Sequence, residues 1–369
     1  MKYDVAVIGG GILGCASAYY LAKGGASVVL LERGRVGDGA TGASAGMLAP
    51  VAEAKHPGPF LDLVVASLRD YPTAVQEVEE ASGLSSGYNQ RSILRVAFTP
   101  EDEGKFQNAL PMYELAGLPY HRLTGDEARR EEPALGPDVI SAILSPEEGQ
   151  VLPRQLVLAY RYAAELLGAR VLENTEALDV ETNGARVTGV RTLAGSVEAE
   201  TVVVANGAWA VRFEAALRQA IPVYPVRGQI VALKALPAPV KHVLYSYIGY
   251  AVPWPDGRLI CGATQEEAGY GAHTTVDGVM QVLDGARRLV PGARLAEIES
   301  TWAGLRPGSP DAMPLLGPAE GWDNVWLATG HFRNGILLGP YTARHLAASI
   351  RAGRLVDELA PFHPSRGKT

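Results

Sequence analysis

The chain has 369 residues, 47% of them hydrophobic and 20% charged, with a formal net charge of −7. That length suggests two domains or one with a large elaboration, and the composition excludes a disordered or fibrous chain. No long basic run offsets the acidic balance, which argues against nucleic acid and anionic membrane as partners. The two cysteines, Cys15 and Cys261, exclude a disulfide framework or a structural zinc site.

The opening MKYDVAVIGG holds a short apolar run broken by Asp4, so it reads as a strand and not as a signal peptide. No stretch approaches the ~18 uninterrupted apolar residues of a membrane span. The expected setting is the cytoplasm. Val5 to Ile8 reads as a strand covered on both faces, and Gly9-Gly10-Gly11 follows it. Ile12 to Ala22 has the spacing of a helix with one buried face, ended by Lys23-Gly24-Gly25, and Ser27 to Leu31 is a second buried strand. Residues 36–50 are rich in Gly and Ala and too apolar for a solvated linker, so they read as a loop pressed against something large. Residues 60–82 and 101–118 read as helices, 123–131 as a helical turn, and Pro153 opens a helix to about Leu167. Between 170 and 204 three β-like runs are parted by Asn183-Gly184 and Ala194-Gly195, the last ending at Ala205. Gln229 to Leu233, Val243 to Val252, Leu259 to Gly262 and Glu297 to Trp302 read as strands, with a helix over 274–290. Val325 to Ala328 is a last buried strand before a helix that closes near Ile350.

This pattern predicts an α/β fold with a second, α+β domain interleaved in sequence. Segments 1–50, 146–215 and 316–369 carry the doubly wound pattern, and 51–145 and 216–315 the mixed one.

Gly9-x-Gly11-x-x-Gly14 lies between a strand and a helix. Gly9 allows the tight turn, Gly11 lets the backbone approach a pyrophosphate, and Gly14 lets the helix pack on the strand. The helix N-terminus offers unpaired N–H groups to the phosphates. Glu32 closes the second strand, where a carboxylate accepts hydrogen bonds from ribose hydroxyls and repels a 2′-phosphate. The return to α/β patterns at 150–207 and 325–350 favours a long cofactor held by several separated segments, FAD, over a nicotinamide.

Several segments resemble the FAD-dependent D-amino acid oxidase family, and within it the glycine oxidase branch of the thiamine pathway. They are Trp302-Ala303-Gly304-Leu305-Arg306-Pro307-Gly308, Gly330-His331-Phe332-Arg333-Asn334-Gly335-Ile336-Leu337, Gly262-Ala263-Thr264, Ala45-Gly46-Met47-Leu48 and Gly149-Gln150-Val151-Leu152-Pro153. The resemblance implies a glutathione-reductase-like Rossmann domain binding FAD, with a mixed-sheet substrate domain over the flavin. It implies oxidation of glycine, sarcosine or small D-amino acids to the imine by hydride transfer to flavin N5, with O₂ reduced to H₂O₂, in a homotetramer. Some relatives use other electron acceptors. Cofactor contacts then fall on Ile12, Leu13, Glu32, Arg33, Ala40, Thr41, Ala45, Gly46 and Met47, on the backbone near Ala177, and on His331 to Leu337. Substrate contacts fall on Arg306, Arg333 and Tyr250. Ile248 stands where some glycine oxidases carry His, and Trp254 where an Arg is usual, both on the expected substrate wall. No cysteine follows the Arg306 region, so the resemblance implies non-covalent FAD.

The residue chemistry agrees with these roles. An arginine fork suits a substrate carboxylate. The alternative for Arg306 is a turn arginine paired with Asp311. Arg333 sits at a helix start, where a cation is unfavourable, so either a functional reason or a solvent-facing position explains it. The helix after Asn334 could place its N–H groups toward negative charge on reduced flavin. Tyr250 closes the pocket or is a sheet aromatic. His331 reads as a backbone contributor. No acid or base stands out at the reacting carbon, and hydride transfer from a neutral amine needs none. The remaining histidines form no ligand spacing, so no metal is assigned. Cys15 and Cys261 read as core, and Glu147-Glu148 and Glu266-Glu267 as solvated turns. Three other functions share parts of this pattern: an amino acid dehydrogenase using a quinone or carrier, a flavin-bearing subunit without its own amine turnover, and a nicotinamide dehydrogenase.

Overall fold

In the computed structural model, which describes residues 2–366, the chain begins with β1 (Lys2–Ile8), α1 (Ile12–Lys23), β2 (Val28–Leu31), a single turn α2 (Ala40–Ala43) and β3 (Met47–Leu48). Met1 and residues 367–369, the ends of the terminal segments assigned above, lie outside the described residues. Next come α3 (Pro59–Ser82), β4 (Ile93–Ala97), α4 (Pro100–Ala116), β5 (His121–Thr124), α5 (Gly125–Glu131), β6 (Ser141–Ser145), β7 (Gly149–Gln150) and α6 (Pro153–Leu166). They are followed by β8 (Arg170–Leu172), β9 (Asp179–Asn183), β10 (Arg186–Thr192), β11 (Gly195–Val204), α7 (Glu214–Leu217) and β12 (Tyr224–Lys234). The last third holds β13 (Val243–Ser246), β14 (Gly249–Pro253), β15 (Leu259–Gly262), α8 (Val276–Leu289), β16 (Glu297–Gly308), β17 (Leu315–Pro318), β18 (Val325–Thr329) and α9 (Gly335–Ala352).

One sheet has the order β17-β18-β11-β1-β2-β8, with β10 and β9 continuing from β11. Its centre is parallel: β1 pairs with both β2 and β11, and β11 with β18. A parallel strand must be covered on both faces, which is why Val5–Ile8 and Val28–Leu31 are apolar throughout. Helices α1, α3, α6 and α9 cover one face; Phe213, Leu217 and the β9–β10 hairpin cover the other. Residues Ile12 to Ala22 of α1 are all buried, so this helix is enclosed all round, where its spacing predicts one buried face. Small residues such as Cys15, Ala16 and Ala18 let α6 and α9 close on it.

The second sheet has the order β16-β12-β15-β14-β13-β4-β6-β5, antiparallel except where β13 meets β4. The run Val243 to Val252 is a hairpin of two strands that turns at Tyr247-Ile248. Residues 123–131 begin in edge strand β5. The helix there starts only after Thr124, whose hydroxyl accepts from the Glu127 amide while the Glu127 carboxylate accepts from the Thr124 amide. The strand expected to stop at Trp302 runs on to Gly308, because β12 pairs with it along its whole length. Arg306 therefore stands on a strand opposite Val226, and not in a turn.

The Gly/Ala-rich loop 36–50 lies against this second sheet. Trp302 Nε1 donates to the Ala43 carbonyl and Trp254 Nε1 to the Ala45 carbonyl, each at 3.1 Å. Among the described residues, no helix is long and apolar enough to cross a membrane.

Candidate active site

A single cleft of about 1690 Å³ runs from the glycine turn after β1 to the face of the second sheet. All the candidate cofactor and substrate contacts named above line it except Gly14 and Leu337, and of the two expected wall positions only Ile248 does. Leu337 is 1% exposed and packs in the core. Gly14 acts by its lack of a side chain, since a Cβ there would lie 1.8 Å from the Gly9 carbonyl oxygen. Gly14→Ala must push α1 off β1. It is expected to cost about 1–3 kcal/mol of stability and most of the bound flavin, read as visible absorbance per mole of purified protein.

At the dinucleotide end, Glu32 Oε2 accepts from the Gly10 amide at 2.6 Å and Oε1 from the Gly34 amide at 2.8 Å. The carboxylate thus fixes the turn and keeps further lone pairs toward the cleft. Thr41 Oγ1 accepts from the Ile12 amide at 3.0 Å, anchoring the loop to the start of α1. The Arg33 guanidinium lies 3.9 Å from the centre of the Trp209 ring, a flat cationic wall in the same cleft as Ala177. Asn206 Oδ1 is buried beside Gly9 with no hydrogen-bond partner among the described residues. A buried polar atom left alone is costly, and a polar ligand in the cleft would satisfy it. Glycine turn, helix N-terminus, acidic strand end and orphaned amide all fit a dinucleotide such as FAD.

At the other end, Arg306 reaches across β12, where a Cβ on Gly228 would lie 2.2 Å from its guanidinium. Its Nη1 donates to the Thr264 carbonyl at 3.1 Å. Among the described residues no carboxylate pairs with it; Asp311 is taken by Arg366 at 2.8 and 3.0 Å. Burial pulls Arg306 below the ordinary arginine range, Tyr250 pushes it back up, and Arg333 adds to the fall. A desolvated guanidinium without an acid is poised for an anion. The Tyr250 phenol is pushed up by burial and pulled back by Arg306 and Arg333.

The Thr264 carbonyl is itself held in place. Thr264 Oγ1 donates to Glu266 at 2.5 Å, and Glu266 accepts from Arg227 at 2.5 Å and from Gln229 at 2.8 Å. Burial pushes the Glu266 carboxyl up, but these donors outweigh it and bring it down to about 2. Glu266 is therefore part of a polar network, not the solvated turn its sequence suggests. Its hold is present above the ordinary carboxylate range and is lost as pH falls toward 2.

Arg333 does not face solvent unpaired. It donates to Glu53 at 2.8 Å and to the Gln265 side-chain oxygen. Burial lowers Arg333, but Glu53, with Tyr245 and Tyr250, outweighs it, so its charge is reinforced. The His331 ring is buried and brought down to about 3 by burial, so it is neutral, with Nε2 3.4 Å from Thr342 Oγ1. Ile248 lines the cleft, but Trp254 does not. Its indole is spent on Ala45, and Arg258 lies 4.8 Å from the ring centre. Cys15 and Cys261 are fully buried and line no part of the cleft; burial pushes the Cys261 thiol up to about 12.

Sequence reasoning missed Glu53, Tyr245, Gln265 and Asn206. Glu53 had one available signal, since an arginine at a helix start calls for an acid from elsewhere in the chain.

The chain is 34% identical over 367 residues to glycine oxidase from Geobacillus kaustophilus, covering 99% of this chain and 97% of that one. It is 38% identical over 371 residues to the bifunctional protein ThiO/ThiG of Synechocystis, covering 98% of this chain and 54% of that protein, about half its length. The crystal structure of glycine oxidase from Bacillus cereus matches with a TM-score of 0.93, 32% identity and 99% of each chain. The family of FAD-dependent oxidoreductases called DAO matches residues 4–349. On these grounds the chain belongs to the DAO family of FAD-dependent oxidoreductases.

Proposed function

We propose that the chain oxidises the amine of glycine, and of sarcosine or small D-amino acids, to the imine, with O₂ as final acceptor and H₂O₂ as product. The observation that carries this reading is the largely buried Arg306 guanidinium, which lines the cleft without an acidic partner among the described residues. Non-covalent FAD, when bound, supplies the acceptor for a hydride and its two electrons.

The residues of the chain supply the rest. Gly9 to Leu13 and Glu32 would hold the pyrophosphate and ribose of the bound cofactor, and the start of α9 at Gly335, which lines the cleft, would present its positive dipole end to negative charge there. Arg306 binds the substrate carboxylate through its planar fork. Tyr250, next to Arg306, closes the pocket, and Arg333 completes its wall. With the carboxylate fixed at one end, the amine carbon is held in one orientation, and orientation is the main demand of this chemistry. None of these residues is placed to remove the carbon-bound proton as a base. The substrate amine must enter neutral, so activity is expected to rise with pH as the amine deprotonates. We take the reaction to serve thiamine biosynthesis, in a cytoplasmic homo-oligomer; the similarity to glycine oxidase supports this reading.

Anaerobic addition of glycine to the FAD-loaded protein tests the reading. Bleaching of the visible flavin bands, followed by their return with H₂O₂ on admitting air, supports it. Bleaching that a dye reverses but oxygen does not would give a dehydrogenase. Bands that no small amine bleaches would leave a flavin-bearing subunit without amine turnover.

A further inference from the structure

We propose that Glu53 sets the charge selectivity of the pocket, occupying Arg333 so that the site accepts one carboxylate and refuses a second. The inference rests on the reading of Arg306 as the carboxylate anchor.

Arg306 and Arg333 both line the cleft; Arg95, which also lines it near Tyr245, has its charge matched by Glu148. Arg306 has no acid among the described residues, whereas Arg333 has Glu53 at 2.8 Å and the Gln265 amide oxygen. These three partners come from distant parts of the chain: the loop after residues 50–52, the start of α9 and the segment after β15. The pair is partly shielded, with Arg333 at 35% and Glu53 at 19% side-chain exposure, so it is more than a rim contact. Both charges act on Arg306, Arg333 lowering and Glu53 raising its tendency to stay protonated. Arg306, Arg333 and Glu53 together carry a single net positive charge, which one substrate carboxylate neutralises. A second carboxylate would meet Glu53, or would have to displace it from Arg333. Like charges brought together at a partly desolvated site suppress the wrong ligand more than they reward the right one.

The test uses the FAD-loaded full chain and the variant Glu53→Gln, which keeps the shape and an acceptor oxygen for Arg333 but removes the charge. Acetate and glutarate carry one and two carboxylates and no oxidisable amine. Titrating each while following the flavin absorbance gives a Kd for each, independent of turnover. The expected result is a shift in the acetate-to-glutarate Kd ratio of about tenfold or more toward glutarate. Glu53→Asp is expected to return the ratio toward wild type, which a merely structural pair would not do. Arg333→Gln leaves Glu53 unpaired and is expected to move the ratio the other way. It serves as the deciding variant should Glu53→Gln fail to hold FAD. An unchanged ratio in a folded, flavin-loaded variant overturns the proposal. The ratio of turnover on iminodiacetate to that on glycine should follow the Kd ratio. A Kd shift in a protein that oxidises neither amine would sink the oxidase reading and leave the selectivity standing.

Discussion

Arg306→Ala is expected to lose most of its kcat/KM for glycine while the protein stays folded and yellow. Truncating one partner of a buried, hydrogen-bonded charge pair costs about 2–5 kcal/mol, which corresponds to a fall of roughly 30-fold to several thousand-fold. The loss should appear first in KM, because the carboxylate is bound before and during the reaction, with a further fall in kcat if the amine carbon loses its orientation. Arg306→Lys keeps the charge but not the planar fork, so it should recover only part of the loss. Stability should move the other way. In the free protein the guanidinium is desolvated and pairs with no carboxylate among the described residues, so its removal relieves a cost. The expected midpoint of thermal unfolding is equal to or above wild type. A KM within twofold of wild type, or a clear drop in the unfolding midpoint, would remove Arg306 from the anchoring role.

What was legible in the sequence divides along a physical line. The Rossmann elements depend on neighbours in the chain: an apolar strand, a glycine turn that admits a helix, and an acid at the next strand end. All of these were readable from Val5 to Glu32. Arg306 was readable as a residue but not in its setting. Leu-Arg-Pro-Gly looks like a turn until β12 is seen pairing with it as far as Gly308. Glu266 and Glu148 looked like solvated turn acids because their partners, Arg227 and Arg95, lie far away in the chain. Tyr245 was hidden in a run that read as one continuous strand. Only the hairpin at Tyr247-Ile248 places it opposite Tyr250 and in the cleft. Local pattern reports local structure; a charge's partner is set by topology.

The second large effect is expected at Glu148, a residue that touches no part of the reaction. Arg95 on β4 and Glu148 are 3% and 1% exposed. Arg95 donates to the two Glu148 oxygens at 2.5 and 3.0 Å and to Ser145 Oγ at 3.0 Å, and Ser145 Oγ donates in turn to the Tyr113 hydroxyl at 3.0 Å. Glu148→Ala would strand the guanidinium in the interior at a cost of about 3–5 kcal/mol. It should appear as a lower urea midpoint at a fixed excess of FAD, so that cofactor linkage stays constant. Glu148→Gln keeps the volume and one acceptor and should lose less. The pair Arg95→Met with Glu148→Leu removes both charges and should regain most of the loss, since well-packed apolar groups often replace a buried ion pair at little cost. A Glu148→Ala midpoint equal to wild type would mean that water reaches Arg95. The guanidinium lies 5.9 Å from the Tyr245 ring, and both residues line the cleft. Solvent there would loosen the pocket wall and raise KM together with the loss of stability. Arg95 and Arg306 are both largely buried arginines on the same sheet, yet opposite outcomes are expected. Arg95 has its acid within the chain and belongs to the scaffold. Arg306 has none among the described residues, and the substrate is left to supply it.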